Sequence, residues 1–376
     1  MAEHVIIGAG IIGLTTAFEL IDAGVDPAAV TIIDPEPISG ATWAAGGMLA
    51  PIAEVQYKQE PLYPLMVESG RIFPDLIRRL TAAGAGPLGY RTEPTFVVGA
   101  DRADAHHLTD LTEHQHAHGM EVNRLTVRQA RRLEPGLHPR IAGAVEIPTD
   151  HQINPRLYTR SLFDLLLDRG VRHRPVAVEK LVMDGAHCVE VQAGEGIVVK
   201  RATVYLANGL GAAQLAPCRL ELRPVRGDML RLRVPDGQEA PVGRVVRAFV
   251  EDRPVYIIPR TDGTIAVGAT SREDGRTLPA VDGVFALLRD AIRIVPGLED
   301  CELIDATVGA RPGTPDDLPY LGRVGENLII STGYFRHGIL LSALAGAVGA
   351  RLGTGSAEGF DISACDPLRH TDKETA

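Results

Sequence analysis

The first 34 residues alternate between apolar runs and glycine-rich turns. The apolar run from Val5 to Ile7 is typical of a buried strand. The glycines that follow precede a segment in which Phe18 and Leu20 supply apolar positions, and this predicts a helix that ends near Gly24. A second apolar run, AVTIIDP, ends in Asp34. The pattern therefore predicts a strand, a helix and a second strand.

Further along the chain the apolar spacing changes from helical to strand-like. In INPRLYTRSLFDLLLDRG, the residues Leu162, Leu165 and Leu166 share one face, which predicts a helix. Between about 220 and 304, the short segments DMLRLRV, VVRAFV, VYIIPR and TIAVGAT surround one helix near 281–294, as is typical of an antiparallel sheet. The other predicted elements are helices over 61–83 and 102–118, a strand in PTFVVGA, and a strand, turn and helix start in ATVYLANGLGAA.

Length and charge narrow the classes of function. A chain of 376 residues favours two domains or one large elaborated domain. The net charge of −10 argues against nucleic acids and anionic membranes as partners, because both need a basic face. The four cysteines show no CxxC spacing and are expected to be free thiols. We expect a cytoplasmic protein, because MAEHVIIGAG lacks a basic leader and the longest apolar run is too short to span a membrane.

The glycines of the first turn follow the spacing G-x-G-x-x-G. Gly8 permits the tight turn, Gly10 lets a pyrophosphate touch the backbone, and Gly13 lets helix and strand pack closely. The helix start offers free amides to the phosphates, and Asp34, 21 residues after Gly13, accepts the ribose hydroxyls. An acid at this position repels a 2′-phosphate, so the pattern favours FAD or NAD over NADP.

The segment GATWAAGGMLAP decides between FAD and NAD. An NAD dehydrogenase continues with regular strand–helix repeats, whereas here the pattern breaks after Asp34. Small residues in this segment allow backbone amides to approach a large flat cofactor. The alternative, a flexible linker, favours serine, glutamine or charged residues over Trp, Met and Leu. The segment therefore favours FAD.

Several motifs together resemble the D-amino-acid oxidase superfamily of FAD enzymes, and within it the glycine oxidases. They are HVIIGAGIIG, IIDP, GATWAAGGMLAPIAE, VYIIPRTDGTIAVGAT, GARPGTPDDLPYLGR and GYFRHGILLS. The resemblance implies an α/β fold in which a Rossmann-like FAD-binding domain is interleaved with an antiparallel-sheet substrate domain. It assigns residues 1–87, 144–219 and 305–376 to the FAD-binding domain, and residues 88–143 and 220–304 to the substrate-binding domain.

The same resemblance implies a role for individual residues. Arg311 in GARPGT is the implied anchor of a substrate carboxylate, Tyr256 in VYIIPR helps to hold it, and Arg336 in GYFRHGILLS lies near substrate and flavin. FAD is expected to bind noncovalently, because the C-terminal motifs lack the cysteine that links flavin in sarcosine oxidases. The implied cofactor-binding residues are Gly8, Gly10, Ile11, Ile12, Gly13, Asp34, Pro35, Ala41, Thr42, Gly46, Gly47, Met48, Val176, Tyr334, Arg336, His337, Gly338, Ile339 and Leu340.

The implied reaction is oxidation of glycine to an imine with reduction of O2 to H2O2, in the biosynthesis of the thiamine thiazole. Ser271 stands where some glycine oxidases carry a methionine, so sarcosine, D-alanine or another small amine competes with glycine as the expected substrate. A dehydrogenase that uses an acceptor other than oxygen remains an alternative, and so does a dinucleotide-binding protein without catalysis. The resemblance also implies a homo-oligomer.

One histidine-rich segment, HHLTDLTEHQHAHG, raises the question of a metal. His114 and His118 are four residues apart, a spacing that can bind zinc. The surrounding residues are polar and no cysteine is near, so the sequence favours a solvated helix. We therefore expect no metal site from the sequence.

Overall fold

The fold is seen in a computed structural model that describes residues 3–194, 196–200 and 202–371. Five short 3₁₀ turns occur in this described part, at Pro27–Ala29, Glu60–Leu62, Gly209–Gly211, Pro296–Asp300 and Ser363–Cys365. The α-helices of the described residues are α1 (Ile11–Asp22), α2 (Gly40–Ala44), α3 (Tyr63–Ala82), α4 (Arg102–Ala117), α5 (Val127–Leu133), α6 (Pro155–Asp168), α7 (Ala212–Leu215), α8 (Val281–Ile294) and α9 (Gly338–Thr354).

The strands divide into two large and two small sheets. They are β1 (Glu3–Ile7), β2 (Val30–Ile33), β3 (Met48–Leu49), β4 (Thr95–Gly99), β5 (Asn123–Leu125), β6 (Gly143–Ile147), β7 (His151–Gln152), β8 (Arg172–Arg174), β9 (Val178–Asp184), β10 (His187–Ala193), β11 (Gly196–Lys200), β12 (Ala202–Leu206), β13 (Arg223–Arg233), β14 (Val246–Val250), β15 (Arg253–Pro259), β16 (Thr264–Gly268), β17 (Glu302–Gly313), β18 (Tyr320–Val324) and β19 (Leu328–Thr332).

The first large sheet has six strands in the order β18-β19-β12-β1-β2-β8. Its neighbouring strands are parallel except for β18 and β19. Apolar side chains of α1, α3, α6 and α9 form a core with this sheet, among them Phe18, Phe73, Leu162 and Leu344. Ligands of such open sheets bind beyond the carboxyl ends of the strands, which directs attention to the turn after Ile7.

Helix α9 is buried over most of its surface because small residues let α1 approach it closely. A Cβ added at Gly346 would lie 3.0 Å from the Cβ of Thr15, and one added at Gly349 would lie 3.3 Å from the hydroxyl of Thr16. Residues on nearly all sides of the helix are apolar and buried, as expected for a core helix. Among the described residues, no helix combines the length and apolar character that crossing a membrane requires.

The second large sheet has eight strands in the order β17-β13-β16-β15-β14-β4-β6-β5. Its pairs are antiparallel except for β14 and β4. Helix α8 has the bounds predicted from the sequence, and its buried residues Leu287 and Ile294 join the core of this sheet. Strands β9 to β11 form a small antiparallel sheet, and β3 pairs with β7. The predicted combination of a Rossmann-like sheet with an antiparallel one is confirmed.

Strand pairing bears on where one domain ends and the next begins. The predicted boundary between residues 304 and 305 falls inside β17, which pairs along its length with β13 of the eight-stranded sheet. The boundary between residues 143 and 144 falls at the start of β6, in the same sheet. Pairing therefore supports later boundaries, after Ile147 and Gly313, and the domain division itself stays a prediction.

Candidate active site

A cavity of 460 Å³ opens beyond the carboxyl end of β1, within the size range of small-molecule sites. Both large sheets contribute to its wall. The lining comes from the turn between β1 and α1, Asp34, residues of the segment 39–54, residues 207–211, Arg247 of β14, strands β13, β15 and β17, residues 269–271, and residues of the segment 331–340.

The glycine turn has the geometry that its spacing predicts. Gly8 has a φ of +109°, and a Cβ there would lie 2.6 Å from the carbonyl oxygen of Ala207. At Gly13, a Cβ would lie 2.0 Å from the carbonyl oxygen of Gly8, so strand and helix are in direct contact. At Gly10, the nearest atom to an added Cβ is the hydroxyl oxygen of Thr42 at 3.4 Å. The space in front of Gly10 is open to a ligand.

Two polar side chains are held in place beside this turn. The carboxylate of Asp34 accepts hydrogen bonds from the amides of Ala9 at 2.7 Å and Glu36 at 2.8 Å. The hydroxyl oxygen of Thr42 accepts a hydrogen bond from the amide of Ile11 at 3.2 Å. Each Asp34 oxygen keeps a further lone pair, so the carboxylate can still accept hydrogen bonds from ribose hydroxyls.

The segment after Asp34 is partly helical, which the sequence did not reveal, and a half-buried arginine holds one of its carbonyl groups. Arg260 donates to the carbonyl oxygen of Gly46, to that of Ile153 at 2.8 Å and to the side-chain oxygen of Gln152 at 2.9 Å. Burial lowers the pKa of Arg260 to about 9, and the group remains a cation at neutral pH. Because the carbonyl of Gly46 is held by Arg260, this segment keeps one fixed conformation in the cavity wall.

Trp43 stabilises the same segment from outside the cavity. The guanidinium of Arg156 lies 3.9 Å from the centroid of its ring, and Trp43 is not among the described residues that line the cavity. Its carbonyl oxygen accepts hydrogen bonds from Arg231 at 3.0 Å and from Arg156 at 3.2 Å. Both arginines also pair with Asp305. The ring of Trp43 therefore packs against Arg156 and does not line the cavity.

This arrangement predicts different effects for two substitutions. Arg260→Met should weaken FAD binding by about tenfold to hundredfold, because it leaves the carbonyl of Gly46 in the cavity wall without its donor, at about 1–3 kcal/mol. Trp43→Leu should change FAD affinity by less than about threefold, because the ring lies outside the cavity. Flavin titration of the two apoproteins measures both constants, and equal losses in the two variants would contradict the assignment.

At the other end of the cavity, Arg311 and Tyr256 face the same space. Nη1 of Arg311 donates to the carbonyl oxygen of Thr270 at 3.2 Å, and its guanidinium lies over Gly227, where a Cβ would come within 2.3 Å of it. The hydroxyl of Tyr256 donates to the sulfur of Met229 at 3.1 Å. Burial lowers the pKa of Arg311 and raises that of Tyr256. Sulfur is a weak acceptor, so the hydroxyl is free to turn to a carboxylate.

The start of α9 brings unpaired polar groups to the cavity. Within the described structure, Nε and one Nη of Arg336 and Nε2 of His337 are buried without a hydrogen-bond partner. Burial, followed by repulsion from Arg336, lowers the pKa of His337 to about 3, so its imidazole is neutral at physiological pH. Buried polar atoms without partners are costly, which indicates that a bound molecule supplies the missing acceptors.

The lowered pKa predicts an acid-sensitive fold. The unfolded chain takes up a proton at His337 below its ordinary pKa of 6.5, whereas the folded chain does not until about pH 3. Stability is therefore lost as the pH falls, by about 2 kcal/mol at pH 5. Urea unfolding at pH 7 and pH 5 measures the free energy of unfolding. Between these two pH values, the free energy of unfolding of His337→Gln should fall by about 2 kcal/mol less than that of the wild type. An unchanged loss in the variant would contradict the buried neutral imidazole.

An ion pair in the cavity wall was not predicted from the sequence. A carboxylate oxygen of Glu54 lies 2.5 Å from Nη1 of Arg247, which also donates to the carbonyl oxygen of Ala53. Burial alone would raise the pKa of Glu54, but Arg247, Arg336 and other nearby cations hold it below its ordinary value. Glu54 belongs to GATWAAGGMLAPIAE and Arg247 to VVRAFV, so no local spacing connects them.

The structure brings most of the predicted site residues to one cavity. Of the described residues, those predicted but not in its lining are Gly13, Pro35 and Val176. Gly13 lies behind the turn, and Val176 is 38% exposed just after β8. The predicted residues in the lining are Gly8, Gly10, Ile11, Ile12, Asp34, Ala41, Thr42, Gly46, Gly47, Met48, Tyr256, Arg311, Tyr334, Arg336, His337, Gly338, Ile339 and Leu340.

The cavity suits FAD on several independent features. The open space at Gly10 suits a pyrophosphate, Asp34 suits a ribose, and the unpaired atoms of Arg336 suit an anionic group. The four cysteines, all within the described residues, do not line the cavity. This agrees with the expectation of noncovalent binding.

Comparison with known proteins identifies the family. The family described as FAD dependent oxidoreductase (DAO) matches residues 3–352. The bifunctional protein ThiO/ThiG of Nostoc sp. strain PCC 7120 is 35% identical over 366 residues, or 93% of this chain and 52% of that protein. The glycine oxidase of Geobacillus kaustophilus is 29% identical, with 98% of this chain and 97% of that protein covered. The crystal structure of glycine oxidase from Geobacillus kaustophilus matches with a TM-score of 0.88 at 29% identity, covering 98% of this chain and 99% of that one.

The coverage differs between these relatives. This chain spans about half the length of the bifunctional relatives and nearly the whole length of the glycine oxidase. The matched region contains the glycine turn, the segment anchored by Arg260, and the cavity that holds Arg311. The chain belongs to the DAO family of FAD-dependent oxidoreductases and is an enzyme whose homologues include glycine oxidases.

Proposed function

We propose that this enzyme oxidises glycine or a similarly small amine or D-amino acid to the imine, which water converts to the oxo acid and ammonia, or to the oxo acid and methylamine when the substrate is sarcosine. The two electrons and two protons removed from the substrate reduce O2 to H2O2. The observation that carries the proposal is the position of Arg311 and Tyr256 in one cavity with the glycine turn. Relatives whose name joins ThiO to ThiG support a place in the biosynthesis of the thiamine thiazole.

Arg311 would hold the substrate carboxylate. Its guanidinium is fixed by the carbonyl of Thr270 and by packing over Gly227, so its planar fork is already oriented for two parallel hydrogen bonds. The hydroxyl of Tyr256 would exchange the sulfur of Met229 for a carboxylate oxygen. A carboxylate bound in this way orients the α-carbon of a small amino acid within the cavity.

FAD, when bound, supplies the two-electron acceptor for this oxidation. Residues at the start of α9 would stabilise negative charge that develops beside them. The helix begins at Gly338, its first amides point out of the helix, and Arg336 adds a full positive charge. His337 stays neutral, so we assign it no proton transfer.

The walls near Tyr256 support a small substrate. A Cβ added at Gly46 would lie 2.9 Å from the ring of Tyr256, and one added at Gly268 would lie 2.2 Å from the sulfur of Met229. These close contacts leave little room beside the tyrosine. Ser271, a short side chain, also lines the cavity and provides space for a methyl group on the nitrogen or α-carbon. Glycine, sarcosine and D-alanine are therefore the substrates to compare.

A panel of amines with a peroxide readout tests this proposal. The purified holoenzyme is supplied with glycine, sarcosine, D-alanine, larger D-amino acids and L-amino acids, and H2O2 and O2 are measured together. We expect turnover of at least one of the three small amines, with one H2O2 formed for each O2 consumed. Flavin reduction without O2 consumption would instead favour a dehydrogenase with another acceptor. A flavoprotein that none of these amines reduces would overturn the proposal.

A further inference from the structure

Three potential metal ligands meet on the surface away from the cavity. One ligand atom from each of Glu60, His114 and His118 lies within 4.8 Å of the other two. The two histidines are one turn apart on α4, and Glu60 begins the short turn Glu60–Leu62, far from them in the sequence. The sequence favoured a solvated helix because the surrounding residues are polar and no cysteine is near. The third ligand is visible only in the fold.

The hydrogen bonds of the two imidazoles decide which nitrogens are free. Nδ1 of His118 lies 2.9 Å from the carbonyl oxygen of His114, and a carbonyl can only accept, so this nitrogen carries the proton. The hydroxyl of Tyr63 gives its single proton to the carbonyl oxygen of Gln56 at 2.5 Å. Nε2 of His114, 2.9 Å from that hydroxyl, must therefore donate to it. In the neutral rings, Nε2 of His118 and Nδ1 of His114 keep their lone pairs.

The carboxylate is oriented in the same manner. Oε1 of Glu60 accepts the amide of Lys58 at 3.2 Å, and a carboxylate has about four lone-pair sites, so the group can still bind a cation. Each of the three side chains thus has one polar atom tied to a backbone or tyrosine partner and keeps a lone pair for a cation. Outer partners of this kind, which fix the orientation and tautomer of metal-binding side chains, are typical of protein metal sites.

We propose that Glu60, His114 and His118 bind a divalent late first-row cation, with Zn²⁺ as the best match to two imidazoles and one carboxylate. Glu60 and His118 are exposed and His114 is half-buried, so water can complete the coordination. The three residues lie outside the described lining of the active-site cavity. The cation would therefore have a structural role, which does not depend on the proposed oxidation.

The structure indicates which two parts of the chain such a cation would join. Glu60 follows Glu54, which lines the cavity, by six residues, whereas both histidines belong to α4 beside the eight-stranded sheet. The ring of Tyr57 lies 4.5 Å from that of His114, so the intervening segment already contacts the helix. A bound cation would join this segment to α4 and lower its mobility.

Titration of Zn²⁺ into the FAD-loaded enzyme, followed by calorimetry, tests the site. We expect one Zn²⁺ per chain, with affinity lowered tenfold or more in His118→Ala and His114→Ala, and abolished in the double variant. His106→Ala is the matched control, because His106 is an exposed histidine of the same helix outside the cluster. This control should bind Zn²⁺ with the affinity of the wild type.

The melting temperature provides a second measurement. Zn²⁺ should raise the melting temperature of the wild type and leave that of the double variant unchanged.

Two results would overturn the proposal. One is a wild type that binds no Zn²⁺ at concentrations up to about 0.1 mM. The other is equal affinity in the wild type and the double variant, which would mean adventitious binding elsewhere. Flavin absorbance and the metal-free melting temperature show whether each variant is folded. Zn²⁺ binding and the melting temperature do not depend on turnover. Failure of the zinc proposal can therefore be distinguished from failure of the proposed oxidation.

Discussion

Arg311→Ala should lower kcat/KM for the best small amine by about a thousandfold, while FAD stays bound. The arginine is half-buried in the cavity wall, and its removal leaves the substrate carboxylate without a charged partner. Truncating one partner of a buried charge pair costs about 2–5 kcal/mol, and about 4 kcal/mol corresponds to a thousandfold. Steady-state peroxide formation measures the loss, and flavin absorbance measures the bound FAD.

Arg311→Lys is the matched control for this change. It keeps the positive charge but loses the planar fork that meets a carboxylate with two parallel hydrogen bonds. We expect activity between those of the wild type and Arg311→Ala. A loss of less than about threefold in Arg311→Ala would show that the carboxylate is held elsewhere. Loss of FAD from the variant would show that Arg311 supports the cofactor instead.

Gly10→Ala should weaken FAD binding by about a hundredfold and leave the apoprotein fold unchanged. The nearest atom to an added Cβ at Gly10 is the Thr42 hydroxyl at 3.4 Å, so the protein itself tolerates the methyl group. The methyl group occupies the space where the pyrophosphate would approach the backbone. Overpacking costs about 1–3 kcal/mol, and about 3 kcal/mol corresponds to FAD binding that is about a hundredfold weaker. Fluorescence titration of the apoprotein with FAD measures the dissociation constant.

A second glycine provides the comparison. Gly275 is exposed, and a Cβ there would meet no described atom within 4 Å. Gly275→Ala should therefore match the wild type in FAD affinity and in melting temperature. Equal FAD affinity in Gly10→Ala and Gly275→Ala would place the pyrophosphate away from the glycine turn.

Local sequence patterns were sufficient for the parts of the fold whose contacts are close in sequence. The turn at Gly8, Gly10 and Gly13 depends on backbone geometry within six residues, and its glycines have the predicted surroundings. Helix α8 follows from its apolar spacing and has the predicted bounds. In contrast, the predicted domain boundary near residue 305 cuts β17, because the pairing of β17 with the distant strand β13 is visible only in the fold.

Contacts between distant segments could not be predicted from the sequence. The Glu54–Arg247 pair joins residues that belong to separate segments, and only the packing of β14 beside the segment 50–55 brings them together. The same holds for Arg260, whose three acceptors lie far from it in sequence. The role of Trp43 could not be predicted from the sequence either, and in the fold its ring lies against the guanidinium of Arg156.

Anaerobic mixing of the holoenzyme with glycine, sarcosine and D-alanine tests the central claim most directly. The claim is that a small amine held by Arg311 reduces the FAD of this cavity. We expect at least one of the three to bleach the visible absorption of the bound flavin, and we expect admitted O2 to restore the absorption with one H2O2 formed for each O2 consumed. Flavin that stays oxidised with all three amines, in protein that binds FAD fully, would contradict it.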